Sequence, residues 1–131
     1  MLTPTQFVQK WLKAISSNDA GSIVSLYKKD AVLLGTLDGK VRKGTENIRE
    51  YFDYFVSLRP RGLITYIVCH EICSGAAATA DGLYELELYD SDKPTKVNAR
   101  FTFVLEKGPT DWKIISHHSS KMPDTQIDSG L

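Results

Sequence analysis

The chain is poor in the residues that usually announce a metal or redox site, with two cysteines and three histidines among 131 residues. Cys69 and Cys73 fall four apart in the strand-like run Ile67-Val-Cys-His-Glu-Ile-Cys73, a separation of about 13 Å in extended chain. That is too far for one disulfide or for one tetrahedral ion, so both thiols are expected as buried, small apolar groups. Excess charge is also missing: Lys plus Arg and Asp plus Glu number 16 each, without a basic block or stripe. An electrostatic footprint for nucleic acid or an anionic membrane is thereby excluded. No apolar run approaches the roughly 18 residues of a membrane span, and the N-terminus reads as an amphipathic helix rather than a signal peptide. Internal repeats and low-complexity segments are lacking. A soluble protein with no nucleic-acid or membrane partner is expected.

What is present suits one globular domain, since 42% of the residues are hydrophobic and 24% charged. The domain is expected over residues 1–123, with a polar tail, 124–131, that frays. Thr3-Pro-Thr-Gln6 starts a helix through a capping box with proline in the first turn, and Phe7, Val8, Trp11, Leu12 and Ile15 form its apolar face. A second short helix is predicted from Asn18 or Asp19 through Tyr27. A strand follows over 31–36, and the Asp38-Gly39 turn folds Lys40-Val-Arg42 back against it. Thr45 is expected to cap a third helix, whose stripe is Ile48, Tyr51, Phe52, Phe55 and Leu58, until Arg59-Pro60 stops it.

The pattern then changes to period two. Four strands are predicted over 63–73, 77–89, 95–106 and 112–120, separated by turn clusters. Helices first and a meander after them imply an α+β domain, with helices closing a cone over a curved antiparallel sheet. The apolar space between helix and sheet is the default place for a small ligand.

Trp112-Lys-Ile-Ile-Ser-His-His-Ser-Ser-Lys-Met-Pro123 ends the strand region. Alternation puts Trp112, Ile114, Ser116, His118 and Ser120 on one face and Lys113, Ile115, His117 and Ser119 on the other. Each face ends in a His-x-Ser pair. His117 and Ser119 are preferred as the interior pair because the opposite row begins with Trp112, a residue suited to a sheet or dimer contact.

The order of elements resembles the nuclear-transport-factor-2-like superfamily, and residues 112–123 look like the end of the association-domain-like group related to calcium/calmodulin-dependent kinase II. Leu33-Leu-Gly-Thr36, Lys40-Val-Arg42, Ile48-Arg-Glu-Tyr-Phe52, Phe55, Pro60, Ala99-Arg-Phe-Thr-Phe-Val104 and His117-His-Ser-Ser120 together resemble the iota-class carbonic anhydrases, over most of residues 3–123. The resemblance implies a cone-shaped domain, a symmetric homodimer through the outer sheet face, and interconversion of carbon dioxide and bicarbonate. It further implies Thr36, Tyr51 and one His-x-Ser pair as catalytic and substrate-binding residues. Members of that class are described both as metal-dependent and as metal-free.

A zinc hydratase needs about three converging ligands and an open position. The histidines here are His70, His117 and His118, and the last two are strand neighbours aimed to opposite sides. No metal and no other cofactor is therefore expected. Zinc lowers the pKa of bound water from 15.7 to about 7, and the lost activation, on the order of 12 kcal/mol, has to be partly recovered by orientation and hydrogen bonding. The expected division of labour has Thr36 and Ser119 (or Ser120) holding a water and Tyr51 orienting bicarbonate oxygens. His117 or His118 then relays the proton near neutral pH.

Each residue also has an ordinary structural explanation. Thr36 can simply end a strand, Tyr51 can be a core aromatic with Tyr54 as the alternate, His70 can be structural, and Arg100 can face either the cone or the outside. Two competing functions remain open: a non-enzymatic association domain binding a small carboxylate in the cone, and another cone enzyme such as an isomerase or polyketide cyclase. The latter usually needs an Asp-His pair, which is not evident. Either an algal chloroplast domain or a bacterial soluble or periplasmic protein fits the chain, so its compartment is unknown.

Overall fold

The computed structural model describes residues 1–124. The tail expected over 124–131 lies, apart from Asp124, outside the described residues. Helix α1, Pro4–Ile15, begins with the predicted capping box: the Thr3 hydroxyl accepts the Gln6 N–H at 3.1 Å, and the Gln6 side chain accepts the Thr3 N–H at 2.9 Å. Helix α2, Ala20–Val24, is capped by Asp19 and stops short of the predicted Tyr27. Tyr27 instead opens strand β1, Tyr27–Leu34, because the Leu26 carbonyl accepts the Ile114 N–H at 2.9 Å and ties the chain into the sheet.

Strand β2, Val41–Lys43, pairs Val41 with Leu34 and Arg42 with Leu33. The connection is thus residues 35–40, not a two-residue Asp-Gly turn, and Thr36 lies in this loop rather than at the end of a strand. Asp38 organises it locally, accepting the Lys40 N–H at 3.2 Å and an Arg42 guanidinium N–H at 2.6 Å. Helix α3, Thr45–Ser57, has Gly44 as its N-cap at φ 87° with no side-chain cap bond. Thr45, predicted as the cap, is the first helical residue. A glycine suits a positive φ that a side chain would strain.

Strands β3 (Arg61–Ile72), β4 (Ala77–Tyr89), β5 (Pro94–Lys107) and β6 (Trp112–Lys121) complete one six-stranded sheet of order β2-β1-β6-β5-β4-β3. Its neighbours are antiparallel except β1 and β6, which run parallel. The sheet bends where Thr65 is left unpaired between Ile64 and Tyr66. Opposite the bulge, a Cβ on Gly82 would lie 2.0 Å from the Tyr66 carbonyl oxygen, so the curvature requires glycine there. The concave face buries Phe7, Trp11, Phe52, Phe55, Phe101 and Phe103, and each such side chain contributes about 1.5–3 kcal/mol on leaving water.

A second bulge decides the face of β6. Leu105 pairs with Ile114 and Val104 with Ser116, leaving Ile115 as an extra residue. Side-chain alternation changes phase at that point. Trp112, Ile114, His117 and Ser119 are consequently all buried, whereas His118 is exposed and Ser120 half-buried. Trp112 and Ile114 do not share the outer row with His118, as strict alternation predicts. The choice of His117 and Ser119 as the interior pair survives, but its stated reason does not. Trp112 is interior, donating its indole N–H to the Leu2 carbonyl at 2.9 Å.

The cysteine expectation is half corrected. Cys69 is partly buried, 3.4 Å from the Thr5 hydroxyl, but Cys73 is exposed in the turn Cys73–Gly75 with φ 54°. The change from strand to turn takes its side chain out of the apolar layer.

Candidate active site

Loop 35–40, α1, α3, β4 and β6 surround a small interior cavity lined by Gly35, Thr36, Tyr51, Tyr84, His117 and Ser119, with Trp11 behind them. A water-sized sphere has about 10 Å³ for its centre there, close to the room that one water needs. Thr36, Tyr51, His117 and Ser119 are thus brought together. Tyr54 is 57% exposed on the far side of α3, which leaves Tyr51 as the cavity tyrosine. Arg100 is exposed and pairs across the sheet with Ser120, so it is not an anion partner inside the cone. His70 is exposed on β3.

Thr36 and Ser119 are in hydrogen-bond contact through their hydroxyls. Beyond them runs a buried chain of polar groups. The Tyr84 phenol donates to Ser119 Oγ at 2.5 Å and lies 3.4 Å from His117 Nε2. On the other ring edge, His117 Nδ1 is 2.8 Å from the Tyr27 hydroxyl, which accepts the Trp11 indole N–H at 3.0 Å. The Tyr51 hydroxyl stands beside this chain and accepts the Leu37 N–H at 3.3 Å.

Burial controls the protonation states. His117 is 2% exposed, stacked on Phe103 at 3.9 Å and met edge-on by Trp11 at 5.1 Å. Desolvation, helped by neighbouring His118, pushes its pKa down to about 3. His117 is therefore a neutral imidazole at physiological pH. A pKa this low makes His117 a weak base near neutral pH, which weighs against the expected relay of a proton by His117. Desolvation likewise pushes the Tyr51 phenol up to about 12 and the Tyr84 and Tyr27 phenols well above their ordinary value. All three remain protonated donors.

Sequence reasoning missed Trp11, Tyr27 and Tyr84 as members of the site. Trp11 reads as one more residue of an apolar helical stripe, and Tyr27 reads as the end of a helix that stops at Val24. The available signal was their chemistry: a buried indole or phenol carries a polar group that needs a partner.

The donor set does not fit a metal. His117 is the cavity's single imidazole, and both of its nitrogens already face phenols. The remaining groups are neutral hydroxyls, which are not the usual zinc ligands. Among the described residues no group of three or more His, Cys, Asp and Glu side chains is placed to hold an ion.

Known structures repeat this architecture. A calcium/calmodulin dependent protein kinase II association domain from Xanthomonas campestris is 35% identical, with 92% of this chain and 86% of that chain covered and a TM-score of 0.88. A nuclear transport factor 2-like protein from Salmonella enterica is 20% identical, with 97% and 94% covered and a TM-score of 0.80. A ketosteroid isomerase-like protein from Erwinia carotovora atroseptica is 19% identical, with 86% and 88% covered and a TM-score of 0.68. At those lower identities the likeness shows the fold alone. No curated protein matches the chain. The family model of the calcium/calmodulin dependent protein kinase II association domain matches residues 4–123, and the chain belongs to that family.

Proposed function

We propose that the protein is a carbonic anhydrase that interconverts carbon dioxide and bicarbonate without a metal ion. The observation that carries this reading is a small, partly open cavity bordered by the Thr36 and Ser119 hydroxyls and the Tyr51 and Tyr84 phenols. Its hydrogen-bonding groups match a small oxygen-rich substrate, which enters by widening the space beyond the room of one water. Steroid-sized substrates do not fit.

In the hydration direction, a water held at Thr36 and Ser119 attacks the carbon of carbon dioxide. A C–O bond forms, one carbon–oxygen π pair moves onto oxygen, and the water's proton passes to solvent, giving bicarbonate. Hydroxyl and phenol hydrogens aimed at the developing carboxylate lower the barrier, and confinement supplies orientation. Neutral His117 serves as a hydrogen-bonding member of the chain. Orientation without a charged general base makes such a site slower than a zinc hydratase.

Stopped-flow carbon dioxide hydration with chelator-treated protein tests the proposal. Catalysis is expected to survive metal removal; Thr36→Val and Tyr51→Phe should each lower it by about 10²-fold or more, the usual cost of one lost transition-state donor, and Ser119→Ala should lower it by removing the partner that orients the Thr36 hydroxyl. Rates no greater than buffer, with or without added zinc or manganese, defeat the hydratase reading. A symmetric homodimer through the outer sheet face belongs to the same proposal, supported by the exposed apolar residues Leu63, Tyr66, Val68 and Ile72 on β3. That exposed row also favours a second reading, an association domain that binds a small carboxylate without turning it over. Carboxylate binding in a protein devoid of hydration activity would select it.

A further inference from the structure

The buried chain has one member that can never accept a hydrogen bond. Trp11 Nε1–H is donor only, and it donates to the Tyr27 hydroxyl at 3.0 Å. A phenol oxygen that has accepted this bond still carries one hydrogen of its own. Among the described residues, the other group in contact with that hydroxyl is His117 Nδ1 at 2.8 Å. If Nδ1 carried a hydrogen, the Tyr27 hydrogen would be buried without an acceptor, a cost that disfavours the arrangement by roughly tenfold to a hundredfold. Nδ1 is therefore the acceptor, and the neutral ring carries its hydrogen on Nε2.

Direction then propagates. Nε2–H faces the Tyr84 oxygen, Tyr84 donates to Ser119 Oγ, and Ser119 is left to donate to Thr36 Oγ1. The run ends on the hydrogen of Thr36, whose hydroxyl lies beside both the cavity and the Tyr84 oxygen. The Tyr51 oxygen accepts the Leu37 N–H at 3.3 Å, which leaves its own hydrogen for a ligand. Both residues line the cavity.

We infer that Trp11 is a positioning residue: its donor-only indole leaves His117 Nδ1 as the one acceptor for the Tyr27 hydrogen, which locks His117 as the Nε2–H tautomer facing Tyr84 and presents the Thr36 and Tyr51 hydroxyls to a ligand with two acceptor oxygens. A carboxylate or bicarbonate has that pattern, and an ammonium ion has its opposite. The same polarity gives Tyr27 and Tyr84 definite parts, as transmitters rather than core aromatics. Only the identity of the ligand rests on the hydratase reading, not the direction of the chain.

Nitrogen-15 NMR of histidine-labelled protein at neutral pH reads the tautomer directly, and amide shifts of Gly35 and Leu37 report the cavity. In the native protein His117 should be at least about tenfold enriched in the Nε2–H form. Bicarbonate should shift both amides, whereas methylammonium at equal concentration should leave them unmoved. Trp11→Gln offers a side-chain carbonyl to the Tyr27 hydrogen and thereby frees the Tyr27 oxygen to accept from His117, so the Nδ1–H form should become substantially populated and bicarbonate affinity should fall. Should the loss of ring volume unfold Trp11→Gln, the tautomer of the native protein and the paired bicarbonate and methylammonium titrations still decide the inference. A native protein in the Nδ1–H form, a well-folded Trp11→Gln protein that stays wholly Nε2–H, or methylammonium binding as tightly as bicarbonate each overturns the inference. Absence of carbon dioxide hydration with the expected tautomers overturns the hydratase proposal alone.

Discussion

At the scale of single residues, His117 separates what a residue type suggests from what its surroundings allow. Histidine ordinarily titrates near physiological pH, which makes it the default proton carrier. Here Phe103 and Trp11 remove water from both the face and the edge of the ring, and the pKa falls to about 3. The consequence for activity is specific. Between pH 5.5 and 8 the hydration rate should show no ionisation attributable to this histidine, since His117 is neutral throughout. Stopped-flow rates across that range, measured at constant ionic strength with the uncatalysed reaction subtracted, provide the check. A sigmoidal step centred near pH 6.5 that disappears in His117→Gln would restore the charged relay and contradict the burial argument. His118→Ala, altering an exposed residue on the opposite face, should leave the rate unchanged.

At the scale of elements, the site depends on how closely loop 35–40 lies on α3. Gly35 permits the contact. A Cβ there would stand 2.4 Å from two atoms of the Tyr51 ring, well inside van der Waals separation, and both the loop backbone and the helix resist moving. Gly35→Ala should displace the Tyr51 hydroxyl from the Leu37 N–H, cost about 1–3 kcal/mol of stability as an overpacked core does, and lower the turnover rate. Gly39→Ala, in the same loop but with nothing within 4 Å of its Cβ, should be close to neutral. Urea midpoints and turnover rates of the two variants, measured side by side, make the comparison. Equal effects would show that the loop's flexibility matters and the Tyr51 contact does not. The same scale explains what could be read in advance. The strands β4 to β6, the capping box of α1 and the stripe of α3 were legible because period and capping chemistry are local. The phase of β6 was not: Ile114 and Ile115 are adjacent and both apolar, so either could face inward. Only pairing with β5 shows that Ile115 is the extra residue. Tyr27 is illegible for a similar reason, because its place in β1 is fixed by β6, nearly 90 residues away. Thr36, Tyr51 and the His-x-Ser motif could be named from their resemblance to a family, whereas Trp11, Tyr27 and Tyr84 join them only through tertiary contact.

At the scale of the whole molecule, the same buried groups bound the pH range over which the fold is stable. In the unfolded chain His117 binds a proton below about pH 6.5, while in the fold it does so only near pH 3. The unfolded state therefore holds more protons across that interval. Stability is fully present above pH 6.5 and falls with decreasing pH, by about 1.4 kcal/mol per unit once the unfolded histidine is fully charged. Asp38, held below its ordinary value first by its hydrogen bond to Arg42, adds a loss only further down, around and below the usual carboxylate range. The alkaline side has the opposite sign. The phenols of Tyr27, Tyr51 and Tyr84 are raised by desolvation, so stability is complete below about pH 10, where unfolded tyrosine ionises, and declines above it. A plateau between roughly pH 6.5 and 10 follows. Urea unfolding at fixed protein concentration from pH 4 to 11 measures it, the fixed concentration removing any contribution from assembly. The acid limb identifies its cause through substitution: in His117→Gln, which cannot titrate, the decline between pH 6.5 and 4 should flatten by the share His117 contributes, even if stability at pH 7 is lower. An acid limb of unchanged slope in that variant would assign it to surface carboxylates instead, and with it would go the claim that His117 is neutral in the folded protein.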